Sequence, residues 1–137
     1  MNINTAILDG TKFLKKNHIK FPGLDSEILL ANVLKKKREY LILNLDKNLK
    51  RESLKYFQEM IRQRSLGKPI AYLIGKKNFW NSEFEISEGV LIPRPDTEIL
   101  VEQVIKLYSR EQKLSILDIG TGSGCIIISI LKERQKF

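Results

Sequence analysis

The stretch Leu117-Asp118-Ile119-Gly120-Thr121-Gly122-Ser123-Gly124 constrains the fold more than any other part of the chain. A short apolar run, Leu114 to Ile119, leads into three glycines at alternate positions, and Cys125 to about Gln135 then reads as a helix. Strand, glycine turn and helix form the opening unit of a Rossmann-like parallel sheet. Several cofactors use that unit, so the spacing has to decide among them. A dinucleotide fingerprint, Gly-x-Gly-x-x-Gly, would need its third glycine at position 125 or 127, where Cys125 and Ile127 stand. A phosphate-binding P-loop would need Gly-Lys-Ser/Thr, and Gly124 is followed by Cys125 and Ile126. What remains is Asp-x-Gly-x-Gly-x-Gly at Asp118, Gly120, Gly122 and Gly124.

That pattern suits S-adenosylmethionine. The cofactor has no pyrophosphate to anchor. Its amino-acid end carries an ammonium and a carboxylate, and its centre carries a sulfonium. Asp118, at the end of the apolar run, can face the ammonium directly or through water. The glycines let the backbone approach without a Cβ in the way. The first amides of the following helix can receive the carboxylate. The expected cofactor-binding residues are therefore Asp118, Gly120, Thr121, Gly122, Ser123 and Gly124. A tight strand-to-helix turn with no ligand would need similar glycines, so context matters.

Upstream, residues 1–66 read as short amphipathic helices. Asn4 or Thr5 is positioned to cap the first, which ends near Asn17-His18. Asp25 or Ser26 is positioned to cap the second, which carries Ile28, Leu29, Val33 and Leu34. A third runs from about Arg38 to Asn44 and a fourth from about Glu52 to Arg64, with a polar turn at 45–50 between them. Each must bury its stripe against the others, which describes a small helical bundle. The pattern changes at Gly67-Lys68-Pro69. Tyr72–Ile74 and Phe79–Ile86 alternate like strands, with Asn81-Ser82 as their turn, and Val90–Ile92 reads as a third short strand. Pro93-Arg94-Pro95 stiffens the next segment, and Asp96 or Thr97 then opens a helix holding Ile99, Leu100, Val104, Ile105 and Leu107.

Composition narrows the class. Apolar residues make up 42% of the 137, enough for a packed core. The single Cys125 excludes an intramolecular disulfide framework and a cysteine zinc site, so no metal is expected. That usage fits a reducing cytoplasm. Met1-Asn2-Ile3-Asn4 has no signal-peptide character. The longest apolar run, Cys125–Leu131, is far shorter than the roughly 18 residues of a membrane helix. The expectation is a cytoplasmic protein with no membrane partner. The net charge of +8 is unevenly spread: residues 1–70 hold 15 Lys/Arg against 7 Asp/Glu, and residues 71–137 hold 9 of each. The basic half suits an acidic partner, and solvated helix faces account for it equally well. Lys35-Lys36-Lys37-Arg38 reads as a solvated helix end, so no direct nucleic-acid contact is expected. His18 reads as a capping or surface residue, Cys125 as a small core residue, and Phe79 and Trp80 as hairpin packing.

The chain resembles the release-factor glutamine methyltransferase family, PrmC/HemK. The resemblance is spread over Arg64, Gly67, Pro69, Ala71-Tyr72-Leu73, Gly75 and Phe79-Trp80. It continues through Leu91-Ile92-Pro93-Arg94-Pro95-Asp96-Thr97-Glu98, Leu100-Val101-Glu102 and the glycine turn. The Pro-Arg-Pro-Asp-Thr-Glu string is its most specific part. The resemblance implies an α+β chain in three parts. Residues 1–70 would be a helical bundle that docks a release factor, and 71–92 a β-hairpin linker. Residues 93–137 would be the first strand-turn-helix unit of a truncated Rossmann-like S-adenosylmethionine methyltransferase domain. It also implies methyl transfer from S-adenosylmethionine to the glutamine of a release factor's Gly-Gly-Gln motif. Arg94 and Thr97 become further site candidates, although prolines and a cap explain that segment without a ligand.

The family is about twice this length. Its Asn-Pro-Pro-Tyr motif, which grips the acceptor amide, has no counterpart here, so no catalytic residue is assigned. Positioning a poorly nucleophilic amide should supply most of the rate, so activity of this chain alone is not expected. A lone parallel strand at Leu114–Ile119 would leave its edges unpaired and room for a second chain to complete the sheet. Residues beyond about 110 are accordingly expected to be loosely held. Two other readings share these features: an adenine-N6 methyltransferase of nucleic acid, and a non-catalytic helical module that binds release factors.

Overall fold

The computed structural model describes residues 1–108 and 112–134. The chain divides into two compact units, Met1–Ile74 and Gly75–Phe137. It is α+β, rich in helix, and the strands of the described residues form one two-stranded sheet.

The first unit is all helical. Its elements are α1 (Ile3–Lys16), α2 (Pro22–Leu34), α3 (Arg38–Leu43), α4 (Arg51–Ser65) and the short α5 (Ile70–Ile74). α1 starts earlier than the sequence suggests, because Asn2 is the cap: its Oδ1 accepts from the Thr5 amide at 2.8 Å and the Thr5 hydroxyl at 2.7 Å. The next free amides of α1 find carbonyls outside the helix. Ile3 N–H donates to Lys47 O and Asn4 N–H to Leu45 O, both at 3.0 Å. The polar 45–49 turn therefore closes over the start of α1, where helix amides lack internal partners. α2 begins at Pro22, which tolerates the first helical position because it has no amide to satisfy. Asp25 and Ser26 are thus inside the helix, and neither caps it.

The core of this unit joins Ile3, Ala6 and Leu14 of α1 to Leu29 and Leu30 of α2, Leu41 of α3, and Phe57 and Ile61 of α4. α1 comes close to α2 and α4 at Gly10. A Cβ there would lie 2.6 Å from Ser26 Oγ, 3.0 Å from Phe57 Cζ and 3.1 Å from Ile61 Cδ1. Ser26 reaches back across the contact and donates to Ile7 O at 3.1 Å. At the far end of α4, Arg64 Nε donates to the buried Asp25 carboxylate at 2.7 Å, and Arg64 Nη1 donates to Lys68 O at 3.0 Å. One guanidinium thus ties α4 to α2 and turns the chain toward α5. The strand expected at Tyr72–Ile74 is instead part of α5. Ala71, Leu73 and Ile74 alternate poorly, and Leu73 and Ile74 pack with Ile70 on the helical core.

The second unit opens with an antiparallel hairpin, β1 (Lys76–Phe79) and β2 (Ser82–Glu85). Phe79 pairs with Ser82, so the turn is Trp80-Asn81, one residue earlier than expected. Phe79 and Phe84 are buried on one face and meet edge to face, with ring centroids 6.3 Å apart. Val90–Ile92 forms no strand. A single 3-10 turn, Pro95–Thr97, runs directly into α6 (Glu98–Leu107). The expected side-chain cap is absent because Thr97 already has helical φ and ψ and makes no capping bond. α6 packs against α7 (Cys125–Arg134). The expected end of that last helix near Gln135 lies outside the described residues.

Leu114–Ile119 is not a strand in this structure, since no neighbouring strand supplies a ladder among the described residues. Leu117 and Ile119 are 83% and 88% exposed. The only sheet described is antiparallel, so the expected parallel arrangement has no counterpart in it.

Two outcomes are expected. Gly10→Ala should lower stability in urea by about 1–2 kcal/mol, since overpacking costs about 1–3 kcal/mol and better helix preference returns up to about 1. Gly23→Ala is the control: its Cβ would meet nothing nearer than Thr11 Cγ2 at 4.0 Å, so stability should not fall. Amide exchange followed by NMR should show Leu29 and Leu30 strongly protected and Leu114–Ile119 close to unprotected.

Candidate functional site

The six residues expected from the glycine pattern form one continuous loop at the start of α7. Gly120, Gly122 and Gly124 all adopt positive φ, at +81°, +58° and +75°. The residues between them are not interchangeable. Thr121 Oγ1 donates to Asp118 O at 2.8 Å, which folds the loop back on its own start. Gly124 N–H donates to Thr121 O and Ile128 N–H to Gly124 O, both at 2.9 Å, which joins the loop to the helix.

The three glycines differ in what surrounds them. A Cβ on Gly120 would meet nothing within 4 Å, and one on Gly122 would meet only the Gly120 carbonyl at 3.8 Å. The backbone there borders open space. A Cβ on Gly124 would lie 2.9 Å from Ile128 Cδ1, so that glycine also serves the packing of loop on helix. Asp118 is half-buried, and its Oδ2 is fully covered with no hydrogen-bond partner among the described residues. A buried carboxylate oxygen without a donor is costly, which marks it as a place where a cation or donor group would be stabilising. An unsatisfied acid beside an open glycine backbone fits the ammonium end of S-adenosylmethionine. Ser123 is half-buried beside it.

Arg94 and Thr97 are placed elsewhere in the unit. Arg94 is exposed and precedes the 3-10 turn, and its carbonyl accepts from Thr97 N–H at 3.1 Å. Among the described residues no hydrogen bond or ion pair links either of them to the glycine loop. The neighbouring Glu98, part of the Pro-Arg-Pro-Asp-Thr-Glu string but not among the expected site residues, is engaged: its Oε1 accepts from the Trp80 amide at 2.8 Å. Trp80 Nε1 in turn donates to Glu133 Oε1 at 3.0 Å. No periodicity links positions 80, 98 and 133, so these contacts carried no sequence signal. Cys125 is buried, as a small core residue would be, and His18 is exposed in the left-handed turn after α1.

The first unit has a basic recess of about 400 Å3 bordered by Lys35, Lys36, Lys47 and Lys50. Lys36 and Lys47 lie 5.6 and 5.5 Å from the Tyr40 ring centre, and Lys47 Nζ donates to Tyr40 Oη at 2.8 Å. On α4, by contrast, Arg62 is neutralised in place. It donates twice to Glu59, at 2.9 and 2.7 Å, and these bonds, with one from Gln63, hold the Glu59 carboxyl down at about 2. Among the described residues no cluster of three or more His, Cys, Asp or Glu could hold a metal, and no helix is long and apolar enough to cross a membrane.

The PrmC N-terminal domain profile matches residues 5–75, over half of the chain. The release factor glutamine methyltransferase of Buchnera aphidicola is 44% identical over 130 residues, covering 95% of this chain and 46% of its own length. That of Leptospira interrogans is 42% identical over 135 residues, covering 98% of this chain and 47% of its own. A bifunctional methyltransferase of Rickettsia conorii is 37% identical, with 96% of this chain and 30% of its own length covered. The chain therefore belongs to the PrmC family of release factor glutamine methyltransferases. It spans less than half the length of these relatives.

Asp118→Asn tests the unpartnered carboxylate. Removing a buried charge that nothing satisfies should leave stability unchanged or raise it by up to about 1 kcal/mol. Thermal unfolding followed by circular dichroism checks this, and a clear loss would mean that Asp118 already has a stabilising partner.

Proposed function

We propose that this chain supplies the cofactor loop and the release-factor docking surface of a methyltransferase acting on the glutamine side-chain amide of a peptide-chain release factor. One observation carries the cofactor assignment: the covered, unpartnered Asp118 Oδ2 beside the open backbone of Gly120 and Gly122. Asp118 would hold the ammonium of S-adenosylmethionine. Amides at the start of α7 would receive its carboxylate, where helix donors and dipole favour an anion. Thr121 keeps the loop folded for that purpose through its bond to Asp118 O. S-adenosylmethionine, when bound, supplies an electrophilic methyl group on a sulfonium.

The relatives' names support a release factor as the substrate. The lysines around Tyr40 give the helical unit a surface suited to an acidic face of that partner. Lys36 and Lys47 are held against the ring, so part of their ordering cost is met before the partner arrives. No Asn-Pro-Pro-Tyr string occurs in these 137 residues, so the reading gives this chain binding roles and no catalytic residue. Cytoplasmic location is part of the proposal, because the single buried thiol suits a reducing compartment.

Calorimetry with S-adenosylmethionine tests the cofactor assignment. The wild type should bind, and Asp118→Ala should weaken binding roughly tenfold or more, as expected for losing a charge-assisted contact of about 1.5–3 kcal/mol. Absence of binding in the wild type would sink the assignment.

A further inference from the structure

Trp80 occupies a backbone conformation that favours glycine. It is the first residue of a two-residue hairpin turn, with φ at +53°. A bulky side chain in the left-handed region is uncommon and costs free energy. Glycine would relieve that cost, so the tryptophan must contribute something that glycine lacks.

Its contacts identify the contribution. The Trp80 amide donates to Glu98 Oε1 at 2.8 Å, at the first residue of α6, a backbone bond that glycine would also make, so the side chain's own contribution is at the indole. The Trp80 indole Nε1–H donates to Glu133 Oε1 at 3.0 Å, near the end of α7. Asn81 Nδ2 donates to the same Glu133 oxygen at 3.2 Å. Lys132 Nζ donates to Ser82 Oγ at 3.0 Å. One hairpin turn therefore grips both helices of the unit. α6 and α7 also pack on each other, burying Val101 on one and Ser129 and Ile130 on the other.

We propose that Trp80 and Glu133 are positioning residues for the cofactor loop. They act through α7, which the loop opens at its other end. The inference rests on reading Asp118–Gly124 as that loop. Glu133 lies eight residues beyond Cys125, which is about 12 Å along a helix. An α-helix of this length moves as a rigid body, so holding its C-terminal turn to the hairpin restrains its N-terminal turn. Without a parallel sheet beneath the loop among the described residues, Leu117 and Ile119 give it little hold from the other side. The hairpin bond is then one restraint on where the Gly124–Ile128 turn sits, beside the packing of α7 on α6 and the Arg134 bonds to Tyr108 O and Gln112 O. Among the described residues the bonds of Trp80 run to α6 and α7 and not to the loop, so Trp80 and Glu133 are assigned positioning roles and not catalytic or cofactor-binding ones.

The experiment compares Glu133→Ala, Glu133→Gln and Trp80→Phe in the full chain. Trp80 is the sole tryptophan, so its indole Nε1–H gives one NMR signal that reports the bond. Glutamine keeps a carbonyl oxygen to accept from the indole, whereas alanine keeps nothing. Expected in Glu133→Ala is a shifted indole signal, with amide exchange roughly fivefold or more faster across Gly124–Ile128, at the far end of the helix. Trp80→Phe should speed exchange there similarly, and Glu133→Gln should restore it to within about twofold of the wild type. S-adenosylmethionine affinity should follow the same order. Unchanged exchange at Gly124–Ile128 in Glu133→Ala, with the indole signal moved, would overturn the proposal. So would a failure of Glu133→Gln to rescue. Exchange needs no cofactor, so a wild type that binds none would overturn the cofactor reading while exchange still decides the restraint.

Discussion

The first unit depends on an absence of side chain. At Gly10, α1 comes close enough to α2 and α4 that Ser26 Oγ and the Phe57 ring occupy the space a Cβ would need. That approach lets Ser26 bond to the backbone of α1 and lets the small helices share one core. Helices this short are marginal alone, and their stability comes from the apolar faces they bury on each other. The Arg64–Asp25 pair fixes the other end of the same packing. Its value lies in satisfaction more than attraction, because Arg64 also donates to Lys68 O and leaves the buried carboxylate with a partner.

The second unit solves a different problem. It has one two-stranded hairpin and two helices, which is a small basis for a core. Polar bonds from the hairpin turn to Glu98 and Glu133 tie its elements together where apolar burial is thin. Among the described residues the glycine loop carries an unpartnered covered oxygen, Asp118 Oδ2, in the same segment as the open backbone of Gly120. Placing an unpaired acid beside empty space costs stability, and binding sites are where proteins tolerate that cost.

Much of this was legible beforehand. The five helices of ten or more residues, α1, α2, α4, α6 and α7, follow from apolar spacing, and the starts of α1 and α2 lie a few residues from where they were expected because capping competes. Asn2 rather than Asn4 caps α1, and Pro22 rather than Asp25 opens α2. The strand reading of Tyr72–Ile74 failed because an apolar run of that length suits a buried helical turn as readily as a strand. The Leu114–Ile119 strand failed for another reason. A strand exists only through its neighbours, and local sequence cannot supply a ladder. The left-handed backbone of the loop was readable, since alternate glycines state their own backbone requirement.

The sequence by itself determined the helical character of the first half, the glycine loop at 120–124 and the family to which both point. Each is a local property, set by side-chain spacing or by a backbone conformation that few residues accept. Tertiary structure alone decided that Gly10 is a contact point, that Asp25 pairs with Arg64 across 39 residues, and that Trp80 bridges to Glu133 across 53. These depend on which surfaces meet after folding. A lone aspartate, arginine or tryptophan carries no mark of its distant partner, because the bond is made by geometry that the whole unit creates.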